Sequence, residues 1–191
     1  MSMRCFIAVE IEDRSTLMNI LKFKRELELL DLDAKFVEDE NVHITIRFLG
    51  EIGLATVEGV KKILQDLGKV FSKFEMEIKG FGAFPSLNNP RVLWIGVGEG
   101  SEHLYNVRRY IDAELTKKGF ADIHKDPHEF HPHITIARIK SRRKIDLLHK
   151  LFAQYNDYYF GVSPVTEIKL KQSILRPQGP VYRDIFVVRL G

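Results

Sequence analysis

The 191-residue chain predicts an α+β fold made by internal duplication: two mixed or antiparallel sheets, helices on their outer faces and a groove where the two copies meet. Three observations lead there. The tetrapeptide His43-Ile44-Thr45-Ile46 recurs as His133-Ile134-Thr135-Ile136, 90 residues later. The order strand, helix, His-Thr strand, helix, strand spans residues 3–84 and again 91–175, every element displaced by close to that interval. Each unit also holds strands reachable by short turns, which favours antiparallel pairing. The reading is one domain over 1–191, with a last strand over 181–190 outside the repeats.

The elements follow in order. Residues 3–11 alternate loosely between apolar and polar and end at Glu12-Asp13, a strand running into a helix N-cap. Leu17, Ile20, Leu21, Leu27 and Leu30 keep the three-and-four spacing of a half-buried helix. After the first His-Thr strand, Gly50–Gly53 reads as a break. Leu54, Val57, Val60, Ile63, Leu64 and Leu67 then stripe a second helix, with Gly68 at its expected end. Phe74, Met76 and Ile78 alternate with Glu75, Glu77 and Lys79, a strand with one wet face. Pro85 to Pro90 is a turn and Arg91–Val97 a strand. In the second copy, Leu104, Val107, Ile111 and Leu115 mark a helix ending in Lys117-Lys118-Gly119, where cations and a glycine suit a C-terminus. Pro132 opens the second His-Thr strand. Ile145, Leu148, Leu151 and Phe152 stripe a fourth helix, residues 165–175 alternate as a strand, and Pro177-Gln178-Gly179-Pro180 turns into the last strand.

Composition narrows the function classes. Apolar residues make up 45% of the chain and the formal net charge is +3, compatible with a nucleotide or RNA ligand but far from a duplex-coating protein. Cys5 stands alone, which excludes a disulfide framework and a cysteine zinc site. The apolar run Cys5–Val9 is too short for a signal peptide, and no run approaches the roughly 20 apolar residues of a membrane span. The expectation is a cytoplasmic protein.

The chemistry lies in the repeated motif. Along a strand, His and Thr at i and i+2 share one face and the two Ile share the other, so each copy offers an imidazole and a hydroxyl over an apolar anchor. Two histidines with ordinary pKa values of about 6.5 form a general acid and a general base near neutral pH. On opposite sides of a phosphorus, one deprotonates the attacking water and the other protonates the leaving oxygen, while Thr45 and Thr135 donate to the non-bridging oxygens. Duplication alone would preserve the Ile pattern but need not preserve His and Thr. Arg47 shares parity with His43 and Thr45 and is expected in the cleft. Arg138 has the opposite parity and reaches it only if the strand bulges or ends at Ala137. Tyr182 and Phe84 read equally as core or base-stacking residues. His124, His128 and His131, with Asp126 and Glu129, are a weaker, metal-binding alternative, and the reading takes no metal and no cofactor.

Several blocks in order resemble the 2H phosphoesterase superfamily, specifically the RNA 2′,3′-cyclic phosphodiesterases also called 2′-5′ RNA ligases. They are Arg4–Glu10, His43-Ile44-Thr45-Ile46-Arg47-Phe48-Leu49-Gly50, Phe81-Gly82-Ala83-Phe84-Pro85, Arg91-Val92-Leu93-Trp94, Phe130–Arg138, and Ser173-Ile174-Leu175 with Gly179-Pro180-Val181-Tyr182. The resemblance implies a bilobal fold and metal-independent opening of an RNA 2′,3′-cyclic phosphate to a 2′-phosphate, with ligation as the reverse. It implies that His43 protonates the 3′ oxygen, His133 activates water, Thr45 and Thr135 hold the phosphate, and Arg138 contacts substrate; Tyr182, in the last of these blocks, is taken with them as a substrate-binding residue. The implied partners are RNA ends or nucleotides carrying a 2′,3′-cyclic phosphate; the chain itself is expected to be a monomer. Position 131 is His where the family often has Arg. A non-catalytic module binding RNA ends in the same groove is the alternative.

Overall fold

The structure, a computed structural model, covers residues 1–191. Its strands are β1 (Ser2–Val9), β2 (Ala34–Phe36), β3 (Ile44–Gly53), β4 (Phe74–Pro85), β5 (Pro90–Val97), β6 (His133–Ile139), β7 (Tyr159–Val165), β8 (Glu167–Ile174) and β9 (Val181–Arg189). Four helices lie between them: α1 (Arg14–Glu28), α2 (Leu54–Val70), α3 (Ser101–Lys118) and α4 (Asp146–Tyr155). No helix is long and apolar enough to cross a membrane.

All strand pairings are antiparallel, in the order β7-β4-β5-β6-β3-β1-β8-β9, with β2 added to β6. The two expected sheets are the two halves of this path. They meet at a single residue pair, Ile44 with Ile134. Each half draws on both repeats: β4 of the first repeat pairs with β5 of the second, and β8 of the second pairs with β1 of the first. The helices cross over in the same way. Phe23 of α1 packs on Phe81 of β4 and Phe160 of β7, with ring centroids 4.9 and 5.4 Å apart, and Phe152 of α4 packs on Phe81 at 5.0 Å. On the other half, α3 reaches β3 through side-chain bonds, and α2 lies against β9.

Local chemistry explains most element ends. Asp13 caps α1, its carboxylate accepting from the Thr16 backbone N–H at 2.8 Å. Gly119 ends α3 in a left-handed conformation, φ 66°. Two glycines act differently from the sequence expectation. β3 runs through Gly50–Gly53, and Gly50 (φ 83°) serves a strand irregularity instead of ending the strand. Gly68 lies inside α2, where a Cβ would stand 2.6 Å from Val188 and 2.9 Å from the Arg189 carbonyl; it is there for close packing on β9. The strand β7 was unexpected, because Gly161 and Pro164 interrupt its pattern; an edge position tolerates both.

Candidate active site

The two motif strands lie side by side. An antiparallel register through Ile44 and Ile134 sets His43 across from Thr135 and Thr45 across from His133, so each histidine stands beside the hydroxyl of the other copy. Ile44, Ile46, Ile134 and Ile136 are fully buried, which anchors both strands and holds His and Thr on the groove face.

Beyond the threonines, strand parity breaks at the same point in both copies. The β1–β3 register steps from Ala8–Thr45 to Ile7–Arg47, and the β5–β6 register from Trp94–Thr135 to Leu93–Ala137. Ile46 and Ile136 are therefore bulged, and the side chains that follow change face, in β3 until a second irregularity at Leu49 restores the parity and buries Ile52. Arg47 and Ala137 turn inward and are buried, whereas Phe48 and Arg138 turn outward. The expectation that Arg47 faces the cleft is thereby corrected, and Arg138 finds the irregularity it needs.

A bulge leaves backbone groups without ladder partners, and each copy satisfies them in its own way. The Ile136 carbonyl accepts from the Val37 N–H, just past β2, at 2.9 Å. The Ile46 carbonyl accepts from Arg108 Nη1 at 3.0 Å. Arg108 also donates to Asp112 (2.7 Å) and Asp126 (3.3 Å). Arg47 donates Nε to Asp112 (2.9 Å), Nη2 to the His124 carbonyl (3.0 Å) and Nη1 to the Phe48 carbonyl. Two buried guanidiniums are tolerable here because two carboxylates and three carbonyls receive them.

Both histidine rings are held alike. Nδ1 of His43 lies 2.6 Å from the Asn41 carbonyl, and Nδ1 of His133 lies 2.5 Å from the His131 carbonyl. A carbonyl only accepts, so in each ring Nδ1 carries the proton and the neutral Nε2 keeps its lone pair. His43 Nε2 lies 2.8 Å from Thr45 Oγ1. Aromatic edges fix the rings further: Phe6 and Tyr182 pack on His43 (5.1 and 5.3 Å), and Phe84 packs edge-on to His133 (5.0 Å). Burial pushes both imidazoles below the usual histidine value. The Asn41 carbonyl and Glu10 oppose this at His43, while the Lys171 ammonium adds to it. That ammonium is itself held by Glu10 (2.6 Å) and Asp184 (2.7 Å).

His43, Thr45, Thr135, Arg138 and Tyr182 border one cavity of about 340 Å³, together with Arg4, Lys35 and Phe48. His133 borders an adjoining cavity of about 470 Å³, which shares Thr45 and Phe48 with the first. Both volumes suit a small ligand. Tyr182 serves the His43 ring, and burial raises its phenol pKa. His124, His128 and His131 border the second cavity, but nowhere do three His, Cys, Asp or Glu side chains gather in an arrangement able to hold a metal ion. Sequence reasoning gave no site role to Arg4, Lys35, Phe6 or Phe48; Arg4, Phe6 and Phe48 lay within the blocks that carry the resemblance, but only the bulge reveals where Phe48 points.

The sequence model for LigT-like phosphoesterases matches the chain twice, over residues 11–94 and 95–182. A Methanothermobacter thermautotrophicus relative named RNA 2′,3′-cyclic phosphodiesterase is 34% identical over 190 residues, 100% of both chains. An Aeropyrum pernix relative of the same name is 42% identical over 155 residues, 81% of this chain and 85% of its own. Among solved structures, a Thermus thermophilus protein shares the fold with a TM-score of 0.82 at 23% identity, covering 98% of each chain. Escherichia coli LigT, solved in complex with 3′-AMP, does so with a TM-score of 0.77 at 18% identity, over 100% of this chain and 99% of its own.

Proposed function

The chain belongs to the LigT-like phosphoesterase family, and from that membership and the groove we propose that it hydrolyses RNA 2′,3′-cyclic phosphodiesters to 2′-phosphomonoesters, with His43 and His133 as a metal-independent acid and base. One observation carries the pairing of the two histidines: backbone carbonyls two residues before each fix the same tautomer and leave both Nε2 atoms for proton transfer, while the choice of His43 as acid and His133 as base follows the family resemblance. His133, its Nδ1 proton engaged, offers Nε2 to take a proton from water as the water oxygen bonds to phosphorus. His43 carries a second proton, on Nε2, and gives it to the 3′ oxygen as the P–O3′ bond breaks. The Asn41 carbonyl stabilises that imidazolium, and the substrate's phosphate anion raises the ring's pKa once bound.

The remaining groups serve the phosphate. When His43 is protonated, its Nε2–H donates to Thr45 Oγ1 and leaves the threonine hydrogen for a non-bridging oxygen. Thr135, across from His43, supplies a second hydroxyl, and the Arg138 guanidinium faces the charge that builds as water adds. Each proton transfer is worth about 10²- to 10⁴-fold in rate. A five-membered cyclic phosphate is strained, so the leaving oxygen needs no metal. All these groups come from one chain, and the reaction needs no second copy.

The cavity on the His133 side favours a second reading of the same site. It far exceeds the roughly 30 Å³ that one water occupies. A 5′-hydroxyl there would replace water as nucleophile, and the product would be a 2′-5′ linkage.

Turnover of 2′,3′-cyclic AMP in EDTA tests the reading, using the native chain, His43→Ala and His133→Ala, with the phosphate position of the product read by NMR. The expected result is a 2′-phosphate from the native chain and loss of at least 100-fold in either variant, on the order of one proton transfer. Activity that survives removal of either histidine would refute the pair. Binding without turnover would leave a module that holds RNA ends.

A further inference from the structure

Over the whole chain Lys and Arg outnumber Asp and Glu by only three, and the charged clusters around Arg108 and Lys171 mix both signs. One place outside the catalytic groove does not. Where β5 begins and β6 ends, Arg91, Lys140 and Arg142 border a third cavity, of about 190 Å³, together with Ser141, Ile139 and Ile145. No carboxylate borders it, and none of the three cations takes part in an ion pair. The Asp31 carboxylate goes instead to Arg143 (3.5 Å) and Lys144 (3.0 Å). Ser141 Oγ accepts from the Arg143 N–H at 3.4 Å, which leaves its own hydrogen for an anion.

Strand register ties this cavity to the catalytic one. Val92 lies opposite Arg138, which borders the His43 cavity, and two residues further along each strand Pro90 and Lys140 reach the third cavity. The step from Arg138 to Lys140 is roughly 7 Å. Arg91, Arg138, Lys140 and Arg142 are all exposed. A cyclic phosphate ends an RNA at its 3′ side, so the strand that leaves the groove is the 5′-ward part of the same molecule, with one charge per nucleotide. The cavity has no aromatic ring on which a base could stack, and its chemistry is that of a backbone phosphate. Its continuity with Arg138 favours the RNA strand over a separate acidic partner.

We propose that Arg91, Lys140 and Arg142 form a phosphate-binding site for the RNA strand upstream of its cyclic end, outside the catalytic groove. The proposal rests on the phosphodiesterase reading above and deepens it: the chain prefers oligonucleotide ends to mononucleotides, whatever their bases.

The test compares the native chain with Arg91→Gln/Lys140→Gln/Arg142→Gln on 2′,3′-cyclic AMP and on a six-nucleotide oligoadenylate ending in a 2′,3′-cyclic phosphate. Equilibrium binding of the same oligoadenylate ending in a 2′-phosphate is measured across a series of NaCl concentrations. One to three lost phosphate contacts flatten the slope of log affinity against log salt by about 0.7 to 2, equivalent to roughly 5- to 100-fold weaker binding at about 0.1 M salt. The triple variant is expected to show that loss in Kd, and a matching rise in KM, for the oligonucleotide, with kcat and all constants for cyclic AMP within about 2-fold of native. Arg91→Lys/Lys140→Arg/Arg142→Lys, which keeps the charges, should retain the oligonucleotide affinity. Lys62→Gln/Lys117→Gln/Lys118→Gln, which removes as much charge from exposed positions on α2 and α3, should retain it too. Unchanged oligonucleotide affinity in the first variant, an equal loss on cyclic AMP, or an equal loss in the α2–α3 variant would overturn the site. If the native chain turns over neither substrate, the catalytic reading fails, and the binding arm alone decides the site.

Discussion

Replacing Arg108 with Met keeps most of the aliphatic stem and removes the guanidinium behind the first motif. The largest loss is at the Ile46 carbonyl, a buried bulge acceptor that would have no partner, at about 1–3 kcal/mol. The carboxylates lose less. Asp112 is 42% exposed and keeps Arg47, and Asp126 is 24% exposed, so each contributes at most about 1 kcal/mol. Relief from burying a cation offsets part of this. The net is a destabilisation of roughly 2–3 kcal/mol, or a Tm lower by about 4–12 °C for a chain of this length. Activity should fall too, because Thr45 and Phe48 flank the bulge that the carbonyl holds in place. Thermal unfolding followed by circular dichroism gives the first quantity, and kcat/KM for 2′,3′-cyclic AMP, taken well below the variant's Tm, gives the second. A Tm within about 1 °C of native with full activity would show that the Arg108–Ile46 bond does not secure the bulge.

Three further outcomes follow from the site. Both imidazoles titrate below their unfolded value of about 6.5, so their contribution to stability is complete above that pH and is lost as pH falls below it; urea midpoints at pH 7.5 and 5.5 should differ, and should differ less in His43→Gln/His133→Gln. Glu10 and Asp184, whose carboxyls Lys171 and Lys169 hold low against burial, act only nearer pH 4. Arg138→Ala should raise KM for the cyclic nucleotide by about 10-fold with partial recovery in Arg138→Lys, and an unchanged KM would remove Arg138 from the phosphate site. Lys171→Met takes a cation from beside His43 and leaves Glu10, so an NMR titration should show the His43 pKa rising; a fall would contradict the arrangement.

The sequence made the helices, most strands and the antiparallel duplication legible because each depends on short-range pattern. Asp13 and Gly119 stand where their chemistry predicted. What escaped it depends on partners far along the chain. β2 is three residues long and has no period to read. The turn of Arg47 into the core follows from one bulged residue, which reverses the side chains just after it. Arg108, Asp112 and Asp126 look like surface charges in sequence, and only the packing of α3 behind β3 makes them its braces. Gly68 resembled a helix end because close packing against a distant strand leaves no local mark. The motif histidines and threonines do lie together, as two strands with one register require; that they perform the chemistry is a question for kinetics.

The exchange of strands between repeats bears on how such a chain arose and how it assembles. Cut between β4 and β5, the first repeat would carry a β4 with no β5 to pair with and a β1 without β8. A fragment of that kind can complete its ladders only by taking strands from a second copy. Two copies of a single repeat with this topology would complete each other's ladders as a symmetric pair, with one histidine from each meeting near the axis. Within one chain that encounter is intramolecular, and equivalent positions can differ, as Phe48 and Arg138 do.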